Sequence, residues 1–140
     1  MDKVVLLSCV SMKLPHKAKA CELYVSPLFK SALKYARSLN PNKIFILSAK
    51  YGLVDLNDEI ESYDQTLNAM SKDAIMEWSN RVLNQLKNKT NLDEDEFIFL
   101  AGERYRKYLL PQIKNYQLPM KGLGIGKQLK FLKEKNEQRM

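Results

Sequence analysis

Three small polar clusters in this sequence have the side chains for chemistry: Ser8-Cys9, Ser48-Ala49-Lys50-Tyr51-Gly52 and Ala101-Gly102-Glu103. Each follows a short apolar run directly. A lysine at such a position can pair with a phosphate. The hydroxyls of Ser8, Ser48 and Tyr51 can bond a sugar or a base, and Glu103 can take or give a proton. Cys9 is a conceivable nucleophile, although a small buried cysteine is the commoner outcome. His16, the single histidine, follows Pro15 in a Lys-rich stretch and reads as an exposed residue.

Two further groups belong with these. Gly122-Leu123-Gly124-Ile125-Gly126 precedes Lys127 at the opening of a helical pattern. Alternate glycines let the backbone approach a ligand, and free amides at a helix start favour an anion. Tight turns and close packing would use the same glycines. The segment 51–70 supplies Asp55, Asp58, Glu59, Glu61, Tyr63 and Asp64. A carboxylate beside a tyrosine or lysine suits acid–base work, although acidic loop residues are more often simply solvated.

The elements that position these groups are legible from hydrophobic patterning. Val4–Leu7, Lys43–Leu47 and Glu96–Leu100 read as strands buried on both faces, as in a parallel sheet. A fourth strand is expected near Gln117–Met120, with Pro119 pushing it to an edge. Ser26-Pro27 is a cap followed by proline at the first helical position, with Leu28, Ala32, Tyr35, Ala36 and Leu39 on one face. Ser71 caps a helix whose stripe is Ile75, Trp78, Val82 and Leu86. Arg104–Tyr116 continues the helical pattern with a break at Pro111, and Ile125, Leu129 and Leu132 open a final helix. The stretch 51–70 interrupts the alternation and reads as a long acidic binding loop. Strands alternating with helices predict one α/β domain over residues 1–140, with a Rossmann-like, mostly parallel sheet of three to four strands flanked by helices. In such a sheet the carboxyl ends of the strands share one rim, and Ser8, Cys9, Ser48, Lys50, Tyr51 and Glu103 fall there.

Composition bounds the function. The 140 residues are 45% hydrophobic and 28% charged, enough for a packed core. No apolar run approaches the roughly 20 residues of a membrane helix. Two cysteines argue for a reducing, cytoplasmic setting, and with one histidine they cannot fill the usual zinc ligand sets. Neither a metal nor a cofactor is expected. The net charge of +7 is uneven: residues 1–50 hold nine Lys/Arg against two Asp/Glu, residues 51–100 four against eleven, and residues 101–140 ten against three. Lys127, Lys130, Lys133, Lys135 and Arg139 suggest an exposed basic helix face, which attracts phosphates as well as keeping a protein soluble.

The same positions carry a family likeness. The sequence resembles an uncharacterised family of bacterial, archaeal and phage proteins, domain of unknown function 6884. The matching blocks are Ser8-Cys9 with Lys13, Leu23–Phe29, Ser48–Leu53, Tyr63–Leu67, Trp78, Ala101-Gly102 with Tyr105, and Gly122–Gly126 with Gln128-Leu129. The Ser-Ala-Lys-Tyr-Gly-Leu block followed by Tyr-Asp is also similar, more distantly, to the core of the YaaA peroxide-stress family. That likeness implies a DNA-binding or nucleic-acid-protective role.

The expectation is therefore a protein that binds a nucleotide or nucleic-acid fragment at the strand ends. Lys13, Lys50 and the turn of Gly122, Gly124 and Gly126 would hold phosphate. Ser8, Ser48, Tyr51 and Tyr63 would bond sugar or base, with Cys9, Gly102 and Tyr105 also among the ligand-binding residues. Catalytic work, in the form of glycosidic-bond cleavage or base transfer, would fall to Lys50, Tyr51, Asp64 and Glu103. A non-catalytic DNA- or RNA-binding module and a protein–protein interaction factor are the alternatives.

Overall fold

A computed structural model of the chain describes residues 1–8 and 12–138. In chain order the elements are β1 (Lys3–Ser8), β2 (Ala18–Lys19), α1 (Ala20–Leu23), α2 (Pro27–Ser38), β3 (Lys43–Ser48), β4 (Gly52–Asp55), β5 (Glu59–Ile60), α3 (Lys72–Lys89), β6 (Glu96–Leu100), α4 (Glu103–Arg106), β7 (Asn115–Gln117) and α5 (Ile125–Gln138). Short 3-10 turns cover Leu67–Ala69 and Leu110–Gln112.

Five strands form the main sheet in the order β4-β3-β1-β6-β7. β3, β1, β6 and β7 are parallel, and β4 is the antiparallel edge. Val4 to Leu7 are fully buried, so both faces of the central strand are covered, as its unbroken apolar run requires. One covering layer is α2 with α5, joined by the edge-on rings of Tyr35 and Phe131, 5.9 Å apart, and by Asn136 Nδ2 donating to the Ser31 carbonyl at 3.3 Å. α3 packs against β4 and α4.

The helix starts follow their sequence signals. Ser26 Oγ accepts from the Phe29 amide at 3.1 Å with Pro27 behind it, and Ser71 Oγ accepts from the Ala74 amide at 3.2 Å. Ile75, Trp78, Val82 and Leu86 form the buried stripe of α3.

Four expectations need correction. The stretch 51–70 is not one loop: it turns back at Gly52 to lay β4 beside β3, then pairs β5 with β2. The pattern over Arg104–Tyr116 does not make a helix; α4 lasts one turn, and Pro111 sits in the 3-10 turn at Leu110–Gln112, where its missing N–H is harmless. The edge strand forms at Asn115–Gln117, ahead of Pro119, not at Gln117–Met120. The sheet thereby has five strands, one more than the upper figure expected. Lys135 is half-buried, its ammonium 5.6 Å from the Phe131 ring centroid, so it leaves the exposed stripe of α5.

Candidate functional site

The parallel part of the sheet reverses its winding at β1: the chain leaves through α2 to β3 on one side and returns through α3 to β6 on the other. Outside the carboxyl ends of β1 and β6, at this switch point, lies a cavity of about 860 Å³. Crevices form here because the two connections diverge to opposite faces and leave the strand ends uncovered.

Its floor is built by the strand ends. Ser8 Oγ accepts the Gly102 amide at 3.1 Å, tying β1 to the start of α4 and leaving the Ser8 hydroxyl hydrogen to donate elsewhere. Leu100 and the buried ring of Tyr105 continue the floor, and Tyr105 is fixed edge-on against Trp78, 5.6 Å between centroids. The two walls differ in chemistry. On the α2–α5 side stand Leu28, Phe29, Ala32, Ile125 and Leu129, with Ser26 and Gln128 as the polar members. Gln128 is oriented by donating from Nε2 to the Leu123 carbonyl at 2.8 Å. On the α3–α4 side stand Lys72, Arg104, Lys107 and Glu103, together with Ile75 and Tyr108. Three cations and one carboxylate leave this wall positive, and none of the ion pairs among the described residues involves them. Two exposed apolar side chains, Met12 and Ile125, also line the cavity.

Of the residues expected at the site, Ser8, Gly102, Glu103 and Tyr105 line this cavity. A second group gathers at the end of β3. Ser48, fully buried, donates to Tyr63 Oη at 2.9 Å and accepts from the Tyr51 amide at 3.0 Å, while Tyr63 Oη meets Tyr24 Oη at 2.5 Å. Lys13 sits over the Tyr63 ring, 4.5 Å from its centroid, and the Tyr51 and Tyr63 rings meet edge-on at 5.8 Å. This hydroxyl chain ties the 61–66 stretch to the strand end. Lys50 is exposed and stacks over Tyr51 at 5.2 Å, and Asp64 is exposed. None of Lys13, Ser48, Lys50, Tyr51, Tyr63 and Asp64 lines the cavity.

Gly122 has φ +80°, a conformation that glycine adopts at little cost and that strains other residues. Gly124 and Gly126 are exposed, with open space where a Cβ would sit, so packing does not require them. They flank Ile125 at the cavity edge. Cys9 lies outside the described residues.

The family model described as a family of unknown function (DUF6884) matches residues 4–134, from β1 into α5. The chain belongs to this family. The matched stretch contains both walls of the cavity, the floor and the Ser48–Tyr63 cluster. No curated protein and no solved structure is similar enough to match. None of these matches bears on the expected likeness to the YaaA core, and membership in DUF6884 assigns no reaction. The chemistry must come from the side chains.

Lys72, Arg104, Lys107 and Tyr108 are cavity residues that the sequence reading passed over. A signal existed: Lys72 and Arg104 each fall in the first turn of a helix, at the end that a parallel sheet turns towards its ligand rim. Among the described residues no cluster of His, Cys, Asp and Glu could hold a metal, and no helix is long and apolar enough to cross a membrane.

Proposed function

We propose that this protein binds a nucleotide, free or within a nucleic acid, in the crevice at the ends of β1 and β6. Phosphate would lie against Lys72, Arg104 and Lys107, and the base against the apolar α2–α5 wall. The observation that carries this reading is the division of one cavity into a cationic wall and an apolar wall. A nucleotide has the same division, with a charged head and a flat, largely apolar body. The volume is within the range of small-molecule sites, roughly 300–1,000 Å³. Ser8 has a hydroxyl hydrogen for a sugar or base oxygen, and Gln128 offers an oriented amide.

As an enzyme, the protein would act at the bond between sugar and base, by hydrolysis or base transfer. Glu103 is the carboxylate of the lining, suited to stabilise positive charge developing on the sugar as that bond breaks. In this reading Ser48 and Tyr63 hold the neighbouring backbone, and Lys50, Tyr51 and Asp64 stay outside the reacting centre. The two cysteines suit a cytoplasmic setting.

Thermal shift and calorimetry with nucleosides, nucleotides and inorganic phosphate test the proposal. Nucleotides are expected to stabilise the protein more than nucleosides, and Arg104→Glu with Lys107→Glu to erase that difference. No stabilisation of folded protein by any nucleotide at saturating concentration would refute it.

A further inference from the structure

The helices that wall the apolar side of the cavity carry a net positive surface on their outer side. Beyond Pro27, the exposed positions of α2 are Lys30, Lys34 and Arg37, and the helix contains no acidic residue. Their spacing of four and three places them on one stripe about 10 Å long. On α5, Lys127, Lys130 and Lys133 are exposed. None of these six cations takes part in an ion pair among the described residues. Five acidic residues, Asp55, Asp58, Glu59, Glu61 and Asp64, lie from the end of β4 to the turn at Leu67, while α5 exposes Glu134 and Glu137 among its lysines. The excess of positive charge is thus concentrated on the α2–α5 layer.

We infer that the α2–α5 layer is a contact surface for the phosphate backbone of a single-stranded nucleic acid. The strand would offer one of its nucleotides to the cavity that the same two helices wall. The inference deepens the nucleotide reading by naming the substrate class: a nucleotide within a strand. Three observations favour this occupant. The exposed α2 stripe is purely cationic, with no apolar or aromatic anchor of the kind a protein partner's interface is built around. Apart from Pro27 and Ile125, which line the cavity, the apolar side chains of α2 and α5 are buried or half-buried, leaving no exposed apolar stripe to enter a bilayer. Pro27, Leu28 and Ala32 of α2, and Ile125, Gln128 and Leu129 of α5, line the cavity, so backbone contacts and base pocket share their scaffold. A base reaches such a pocket most cheaply from a strand in which it is unpaired.

Fluorescence anisotropy with short labelled DNA and RNA single strands, measured across a salt series, is the test. Wild-type affinity should fall log-linearly with salt. Lys30→Glu, Lys34→Glu and Arg37→Glu together should weaken strand binding by at least roughly tenfold and flatten the salt slope by about 2, three contacts at about 0.7 each. Mononucleotide binding by calorimetry should be unchanged in this variant, and circular dichroism should show an intact fold, because all three positions are exposed. Lys127→Glu with Lys130→Glu is the second variant, expected to act in the same direction. Strand binding unaltered by both variants would overturn the inference, as would binding to phosphatidylserine vesicles without binding to strands. Mononucleotide binding with no added affinity for strands would sink this inference and leave the cavity reading standing. Charge-dependent strand binding with no mononucleotide binding would do the reverse.

Discussion

Ser8 and Gly102, 94 residues apart, meet at the floor of the cavity, where Ser8 Oγ accepts the Gly102 amide at 3.1 Å. The bond fixes the separation of the β1 and β6 ends. It also commits the serine oxygen as an acceptor, so its hydrogen points to another partner. Ser8→Ala should therefore act twice. Chemical denaturation should show a loss of about 0.5–1.5 kcal/mol for the missing hydrogen bond. Calorimetry should show weaker nucleotide binding beyond what that stability loss explains.

Turnover is expected to depend on the carboxylate of the cationic wall. Glu103→Gln keeps the shape and removes the charge, and should lower any nucleoside-bond cleavage by at least about a hundredfold while leaving nucleotide affinity within a few-fold. Asp64→Asn should alter neither. Chromatographic detection of released base separates the two variants.

The Ser48–Tyr63–Tyr24 hydroxyl chain should behave as one structural unit. Tyr63→Phe leaves the Ser48 hydroxyl without its acceptor in a buried site, at a cost of about 1–3 kcal/mol. Ser48→Ala costs a similar amount, because the Tyr51 amide loses its partner. The double variant should cost clearly less than the sum, since both disrupt the same bond. Equilibrium unfolding of the four proteins measures the coupling.

Gly52 should tolerate no side chain. Its φ is +76°, and a Cβ there would lie 2.4 Å from Gln85 Oε1, the atom that accepts the Leu53 amide. Gly52→Ala should destabilise by at least about 2 kcal/mol, from backbone strain together with loss of the Gln85 bond. Gln85→Ala removes the collision but not the strain, so it should rescue only part of the loss in a thermal melt.

Asp95 sets an acid limit at the opposite end of the sheet. Burial pushes its carboxyl up, but the amides of Asn91 and Asp2, with Lys43 and the N-terminal ammonium, outweigh burial and hold it below the ordinary carboxylate range. A depressed folded value means that the unfolded chain binds the proton first. The stabilisation is complete above the ordinary value of about 3.9 and is lost as pH falls through the lower, folded value. The gap in stability between wild type and Asp95→Asn should be constant near neutrality and shrink under acid conditions. Denaturant midpoints across that range check the sign.

What could be read from the sequence is what depends on neighbours along the chain. Val4–Leu7, Lys43–Leu47 and Glu96–Leu100 are strands because each is apolar enough to be buried on both faces, and Ser26-Pro27 and Ser71 start helices by satisfying nearby amides. Alternation of the two dictates a parallel sheet, and a parallel sheet dictates a rim for Ser8, Gly102 and Glu103. β4 was illegible, and β7 legible only as an edge strand placed slightly too late, for a related reason. Gly52–Asp55 is short, and its pairing depends on β3 and on Gln85 from α3; Asn115–Gln117 is an exposed polar edge with no hydrophobic signature. Tertiary structure alone sorted the polar groups. Lys50, Ser48 and Tyr63 are as suitable by residue type as Lys72, Arg104 and Lys107, yet the former gather at the end of β3 and the latter wall the cavity. Residue type states what a group can do, whereas its place depends on which distant segments share the cost of burying it. That cost is settled across the whole core at once, through contacts no local stretch contains.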